Sequence, residues 1–283
     1  MALSPNVSLY VDKTSFCGYP AKTNGLLLIQ QFAITMTDLP NSPVEKTNYG
    51  IDAPGVIRNI FIGSFMSILL AIFALYLKNP YINIQPVTFL GIGLSCALSG
   101  FLMLLYSLYG KYKYRNHLLN LINWTGREQV LDIGTGRGLL MVGAAKRLTS
   151  GRSIGIDIWN QQDLTKNEAG NALKNARLEG VLEKVQVESQ NVMSMNFSDE
   201  CFDVVLSNLC LHNIYQKDGR KKACHEIYRV LKPGGMAVIS DFRYIHEYRA
   251  TFSSLGMRVA YQSTGYFNTF PPLTVIKVVK QLR

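Results

Sequence analysis

The stretch Val130-Leu131-Asp132-Ile133-Gly134-Thr135-Gly136-Arg137-Gly138 decides the fold. A short apolar run ends in an acid, breaks into glycines, and is followed by the helical pattern LLMVGAAKRL at 139–148. Strand, glycine loop and helix in that order open a βαβ unit whose ligand sits at the strand's carboxyl end. Working outward, residues 153–157, 185–188, 202–207 and 236–241 read as further strands, and 167–178 and 219–230 as helices. Lys232-Pro233-Gly234-Gly235 reads as a turn, and residues 258–262 and 275–279 as a closing antiparallel pair. The expectation for residues 111–283 is an α/β domain, a doubly wound, mostly parallel seven-stranded sheet covered on both faces.

The glycine spacing narrows the ligand. A dinucleotide loop has a third small residue at the position held here by Leu139, and no GxxxxGK[ST] is present. A phosphate cradle is therefore unsupported.

Upstream the chain changes character. Residues 59–77 (NIFIGSFMSILLAIFALYL) and 87–109 (VTFLGIGLSCALSGFLMLLYSLY) carry no charge, and Pro80 and Pro86 mark a short loop between them. At 1.5 Å per residue the shorter run reaches about 28 Å, close to the thickness of a hydrocarbon core. Two transmembrane helices in a hairpin over 57–110 are expected; a pair of buried core helices is the alternative. Gly63, Ser67 and Ala71, and Gly91, Ser95 and Ser99, recur every four residues and would line the seam between them. Arg58 precedes the first run and Lys111, Lys113 and Arg115 follow the second, while the loop holds only Lys78. The positive-inside rule then makes this an integral membrane protein with both termini and the folded domain in the cytoplasm. Residues 1–56 form an arm to which the sequence assigns no chemistry.

Composition agrees with an apolar appendage on a basic domain. Charged residues are only 17% and mean hydropathy is +0.09, less polar than a soluble domain requires. The net charge is +10, and residues 1–110 hold five basic and four acidic side chains, so nearly all the excess lies downstream. Such a domain suits an anionic leaflet; binding of nucleic acid rests on charge alone and is disfavoured. Lys217–Lys222 reads as a solvated helix start. The five cysteines form no CxxC or metal spacing, which fits a reducing compartment and no metal site.

Four motifs in register, VLDIGTGRG at 130–138, SIGIDIW at 153–159, FDVVLSNLCLHNI at 202–214 and EIYRVLKPGG at 226–235, resemble the class I S-adenosylmethionine-dependent methyltransferases. The likeness is greatest to the small-molecule branch related to quinone biosynthesis, and it covers about residues 115–283. It implies S-adenosyl-L-methionine as cofactor, with Gly134, Thr135, Gly136 and Gly138 approaching its methionine portion. Asp132 would meet the amino group and Asp157 the ribose hydroxyls. Ile158 and Trp159 would flank the adenine, and Asn208 would complete the pocket. Asn191 stands where the family places Asp, so the contact to adenine N6 would be neutral.

The acceptor side is less defined. Ser207-Asn208 replaces the NPPY-type signature of enzymes acting on planar amino groups. His212 and Asp241, after the fourth and fifth strands, are the candidate catalytic residues, His212 as base or substrate ligand; packing roles are the competing reading for both. The expected partners are the bilayer and a small-molecule or lipid acceptor. A non-catalytic module that keeps the fold is the alternative function.

Overall fold

The computed structural model describes residues 45–77, 85–265 and 269–282. Cys17 and the loop residues 78–84 lie outside them, so the expected loop placement has no structural counterpart here.

Helix α1 spans Pro54–Leu77, and α2 spans Pro86–Leu105. Through a π turn at Tyr106–Gly110, α2 runs on into α3, Lys111–Asn120. Large apolar side chains project outward from the pair: Phe65 is 62%, Tyr76 84% and Val87 78% exposed. Among the described residues these groups are left uncovered, whereas a core helix buries them.

The seam between α1 and α2 differs from the four-residue stripes expected. It is built from Ile57, Ser64 and Ala71 against Gly93 and Gly100, seven residues apart, while Gly63 and Gly91 face open space. Ser64 Oγ donates to the Gly93 carbonyl at 2.7 Å. A Cβ on Gly93 would lie 2.7 Å from Ile68, and one on Gly100 3.0 Å from the Phe61 ring. Glycine is thus required where a partner side chain crosses, and a seven-residue repeat keeps that face aligned along both helices.

Residues 45–53, the end of the arm, lie as a strap on the folded domain. Tyr49 is buried and its hydroxyl donates to Glu179 at 2.8 Å; Asn48 N donates to Asn175 Oδ1, and Asn175 Nδ2 returns a bond to Asn48 O. Ile51 and Thr165 exchange two hydrogen bonds. Lys111, expected to be a leaflet-facing cation, is instead 3% exposed and donates to the carbonyls of Tyr49 and Gly50, with Asp52 3.4 Å away. The strap's carbonyls need donors and water is excluded there, so the ammonium is drawn inward.

The sheet runs β3-β2-β1-β4-β5-β7-β6. Its strands are β1 Gln129–Ile133, β2 Arg152–Asp157, β3 Val185–Ser189, β4 Phe202–Asn208, β5 Leu231–Asp241, β6 Arg258–Gly265 and β7 Leu273–Val279. The first five are parallel, and β7 is antiparallel to both β5 and β6, giving a mixed seven-stranded sheet. Alternation along each strand feeds two cores. Val130, Val204, Leu206 and Val238 pack under α3 and α4, Leu139–Ala145. Leu131, Ile133, Val205 and Ile239 face α6, Lys217–Val230, and α7, Ile245–Ser254. A further helix, α5, spans Ala169–Leu178.

Two local readings change. Lys232–Gly235 is a bulge within β5 rather than a separate turn: pairing moves from Phe202↔Leu231 to Val204↔Met236, and Gly234 takes φ +79°. The start of α6 is only partly solvated. Arg220 is buried, pairs with Glu247 at 2.8 Å and lies 3.7 Å over the Tyr244 ring.

Candidate functional site

The site forms where β1 and β4 part, the point at which the strand order reverses. Gly134, Gly136 and Gly138 take φ of +69°, +55° and +86°, values that L side chains avoid. The loop's N–H groups are largely consumed within the protein. Gly134 N and Thr135 N donate to Ile156 O, Gly136 N to Asp157 Oδ2 and Gly138 N to Thr135 O. An anion cradle needs those donors free, so the loop is shaped for close approach of a ligand rather than for phosphate.

Asp132 is buried at the end of β1. Its Oδ2 accepts from Thr135 Oγ1 at 2.8 Å and from Met141 N at 2.9 Å, tying the loop to the first turn of α4. Burial pushes its carboxyl up to about 7, with the hydrogen bonds opposing and Asp157 adding to the shift. The folded chain therefore holds a proton that the unfolded chain releases. Stability should fall by up to about 1.4 kcal/mol per pH unit as pH rises from about 4 toward about 7, and then level off. Asp132→Asn should remove that slope; thermal unfolding of parent and variant from pH 5 to 8 checks it, and parallel curves would refute it.

Asp157 ends β2. Its Oδ1 accepts from Trp159 N at 2.7 Å, so the carboxylate sets the turn after β2 as well as holding Gly136. Ile158 is 68% exposed. Trp159 is not core: φ is +60° and its indole N–H donates to Ser189 Oγ at 2.6 Å. Asn191 is exposed, and its amide oxygen accepts from Met193 N at 2.9 Å, a local turn. Asn208 ends β4, and its buried Oδ1 has no donor among the described residues.

The structure brings His212 and Asp241 together. Nδ1 of His212 lies 2.8 Å from Asp241 Oδ1, though off the line of a well-aligned hydrogen bond, and His212 N donates to Asp241 Oδ2 at 3.1 Å. Asp241 also accepts from Phe242 N at 2.9 Å, and the Phe242 ring meets the imidazole edge-on at 4.6 Å. Each carboxylate oxygen is thereby engaged, and Nε2 stands on the ring edge away from Asp241.

Sequence reasoning misses Asp163, and it places Cys210 near the site only as a cysteine without partners. Asp163 follows β2, where burial raises its carboxyl and the neighbouring His212 lowers it. Cys210 is half-buried and packs against Gly134, where an added Cβ would collide with its Sγ. Burial pushes its thiol well up, and the charges of Asp157, Asp241, Asp132 and Asp163 all add to that. A lone cysteine in a motif gives no hint that acids from several strand ends lie near enough to bear on it. The strand-end acids near Cys210, the glycine cradle and the orphaned Asn208 oxygen fit a ligand that carries positive charge and N–H donors. The sulfonium and ammonium of S-adenosylmethionine meet that description.

Residues 131–239 match the family model described as a methyltransferase domain. The ubiquinone/menaquinone biosynthesis C-methyltransferase of Hydrogenovibrio crunogenus is 33% identical over 132 residues, 46% of this chain and 48% of that protein. The demethylmenaquinone methyltransferase of Bacteroides fragilis is 29% identical over 143 residues, 46% of this chain and 55% of that one. The chain spans about half the length of these curated relatives. Among solved structures, a geranyl diphosphate methyltransferase in complex with S-adenosylmethionine superposes with TM-score 0.51 at 15% identity, over 60% of this chain and 85% of that one. The YcgJ protein of Bacillus subtilis gives 0.50 at 16%, over 61% and 100%. The chain carries an S-adenosylmethionine-dependent methyltransferase domain on the Rossmann-like methyltransferase fold.

Proposed function

We propose that the protein is a membrane-anchored methyltransferase that acts on a small acceptor dissolved in the bilayer, a quinone precursor or a lipid. Its hairpin crosses the membrane, and its domain and both termini lie on the cytoplasmic side. The observation that carries the chemistry is the loop of left-handed glycines closing on Cys210 between the strand-end acids Asp132 and Asp157, with Asn208 Oδ1 left unpaired beside it. When bound, S-adenosylmethionine supplies an electrophilic methyl group on a sulfonium centre. Asp157 accepts from the ribose hydroxyls, Ile158 lies along the adenine, and Asn208 accepts from the amino group. His212 takes the proton that the acceptor gives up, and Asp241 holds its ring.

Two features support the membrane acceptor. Two relatives are named for methyl transfer in ubiquinone or menaquinone biosynthesis and to demethylmenaquinone. The hairpin joins the domain at the edge that carries the site: Asp52 N donates to Ser107 Oγ at 2.9 Å, and Tyr106 lies beside Asn208.

Asp157→Ala should lower S-adenosylmethionine affinity at least about tenfold, because hydrogen bonds to a charged acceptor contribute about 1.5–3 kcal/mol each. Calorimetry on the full-length chain in detergent measures this, and S-adenosylhomocysteine release with a total lipid extract tests turnover. Undiminished affinity in a folded Asp157→Ala variant would overturn the ribose assignment. Binding without release on any lipid or quinol fraction would favour a non-catalytic module.

A further inference from the structure

Tyr106 lies outside the residues that resemble the methyltransferases, in the π turn joining α2 to α3. Its ring is 7% exposed and edge-on to Tyr114 at 6.4 Å. Its hydroxyl ends within reach of the Asn208 amide but without a well-aligned hydrogen bond to it, and Asn208 Oδ1 has no hydrogen-bond partner among the described residues. Two buried polar groups left side by side without partners are costly, and in native proteins such pairs have an occupant to serve. π turns inside helices concentrate at such positions. The nearby Asp52 is not that occupant, since its Oδ2 accepts from Ser107 Oγ at 2.8 Å and faces the Lys111 ammonium at 3.4 Å.

We propose that Tyr106 and Asn208 together hold the amino-acid end of S-adenosylmethionine, so that the helix arising from the hairpin completes the cofactor pocket. The assignment rests on the methyltransferase reading above. The pair offers one donor and one acceptor, the complement of a zwitterion: the Tyr106 hydroxyl donates to the carboxylate, and Asn208 Oδ1 accepts from the ammonium. The carboxylate is repelled by the charges of Asp157 and Asp241 at the strand ends. It therefore lies on the far side of the ammonium from them, where the hydroxyl of Tyr106 is the donor at hand.

The test compares two ligands that share adenosine and differ in the amino-acid end. S-adenosylhomocysteine carries the carboxylate and ammonium, and 5′-methylthioadenosine carries neither. On the full-length chain in detergent, Tyr106→Phe should weaken S-adenosylhomocysteine about tenfold and leave 5′-methylthioadenosine within about twofold of the parent. Phenylalanine keeps the ring packing against Tyr114, so ligand-free unfolding should change little. Asn208→Ala should show the same selectivity and serves as the second variant if Tyr106→Phe folds poorly. Equal weakening of both ligands, or of neither, overturns the assignment while leaving the methyltransferase reading intact. A parent chain that binds neither ligand overturns both.

Discussion

With His212 replaced by glutamine, methyl transfer is expected to slow by about 10²–10⁴-fold while cofactor affinity stays near the parent value. The imidazole is the side chain at the β4 edge held by a buried carboxylate: Nδ1 lies 2.8 Å from Asp241 Oδ1, and Asp241 is 0% exposed. A base whose second nitrogen lies against a fixed acid is biased toward the tautomer with its proton on that side, leaving the other nitrogen to receive a proton. Glutamine matches the polarity and approximate length of histidine but has no basic nitrogen. Asp241→Asn should cost less than His212→Gln, because an amide oxygen can still accept from His212 N while the tautomer bias is lost. Single-turnover rates on a quinol acceptor check both, with S-adenosylhomocysteine affinity as the control. A His212→Gln rate within about threefold of the parent would show that the acceptor needs no base, and would return His212 to a packing role.

The parts of this arrangement that the sequence shows are those written locally. VLDIGTGRG and SIGIDIW announce two strand ends because alternation, a terminal acid and glycine punctuation lie within ten residues of one another. β1 and β2 fall within a residue of their expected bounds. His212 and Asp241 were legible as single candidates, but their pairing joins residues 29 apart along the chain and depends on β4 lying beside β5. Helix α7 went unread because it packs by a few buried residues, Ile245, Tyr248, Thr251 and Phe252, within a polar stretch. The hairpin seam was misplaced because small residues are frequent in apolar helices, and only the crossing side chains, Ile68 and Phe61, decide which glycines are needed. The strap was invisible for a related reason. Its bonds run from backbone groups to Asn175, Thr165 and Lys111, over separations of 61 to 127 residues, and no periodicity encodes them.

That strap governs what happens when the anchor is removed. A chain beginning at residue 111 contains the glycine loop, Asp157 and His212, yet it is expected not to fold stably. It lacks Tyr49 and Tyr106, which are 2% and 7% exposed, and truncating a large buried aromatic costs about 3–5 kcal/mol. Two such losses approach the whole stability of a domain, about 5–15 kcal/mol. Excising the hairpin alone is a different experiment. Asp52 N lies 2.9 Å from Ser107 Oγ, so the strap and the start of the π turn are neighbours. A flexible linker of about six residues from 56 to 104 can join them with little closure cost. The excised chain should unfold within a few degrees of the full-length protein and bind S-adenosylhomocysteine comparably. Its turnover of an acceptor held in vesicles should drop sharply, because tethering no longer supplies effective concentration, and a water-soluble analogue should restore it. Folding and ligand binding by the chain from 111 equal to those of the excised chain would refute the structural role of the strap. Equal activity of excised and full-length protein on vesicles, at matched concentration, would refute the membrane acceptor and leave the hairpin as an address alone.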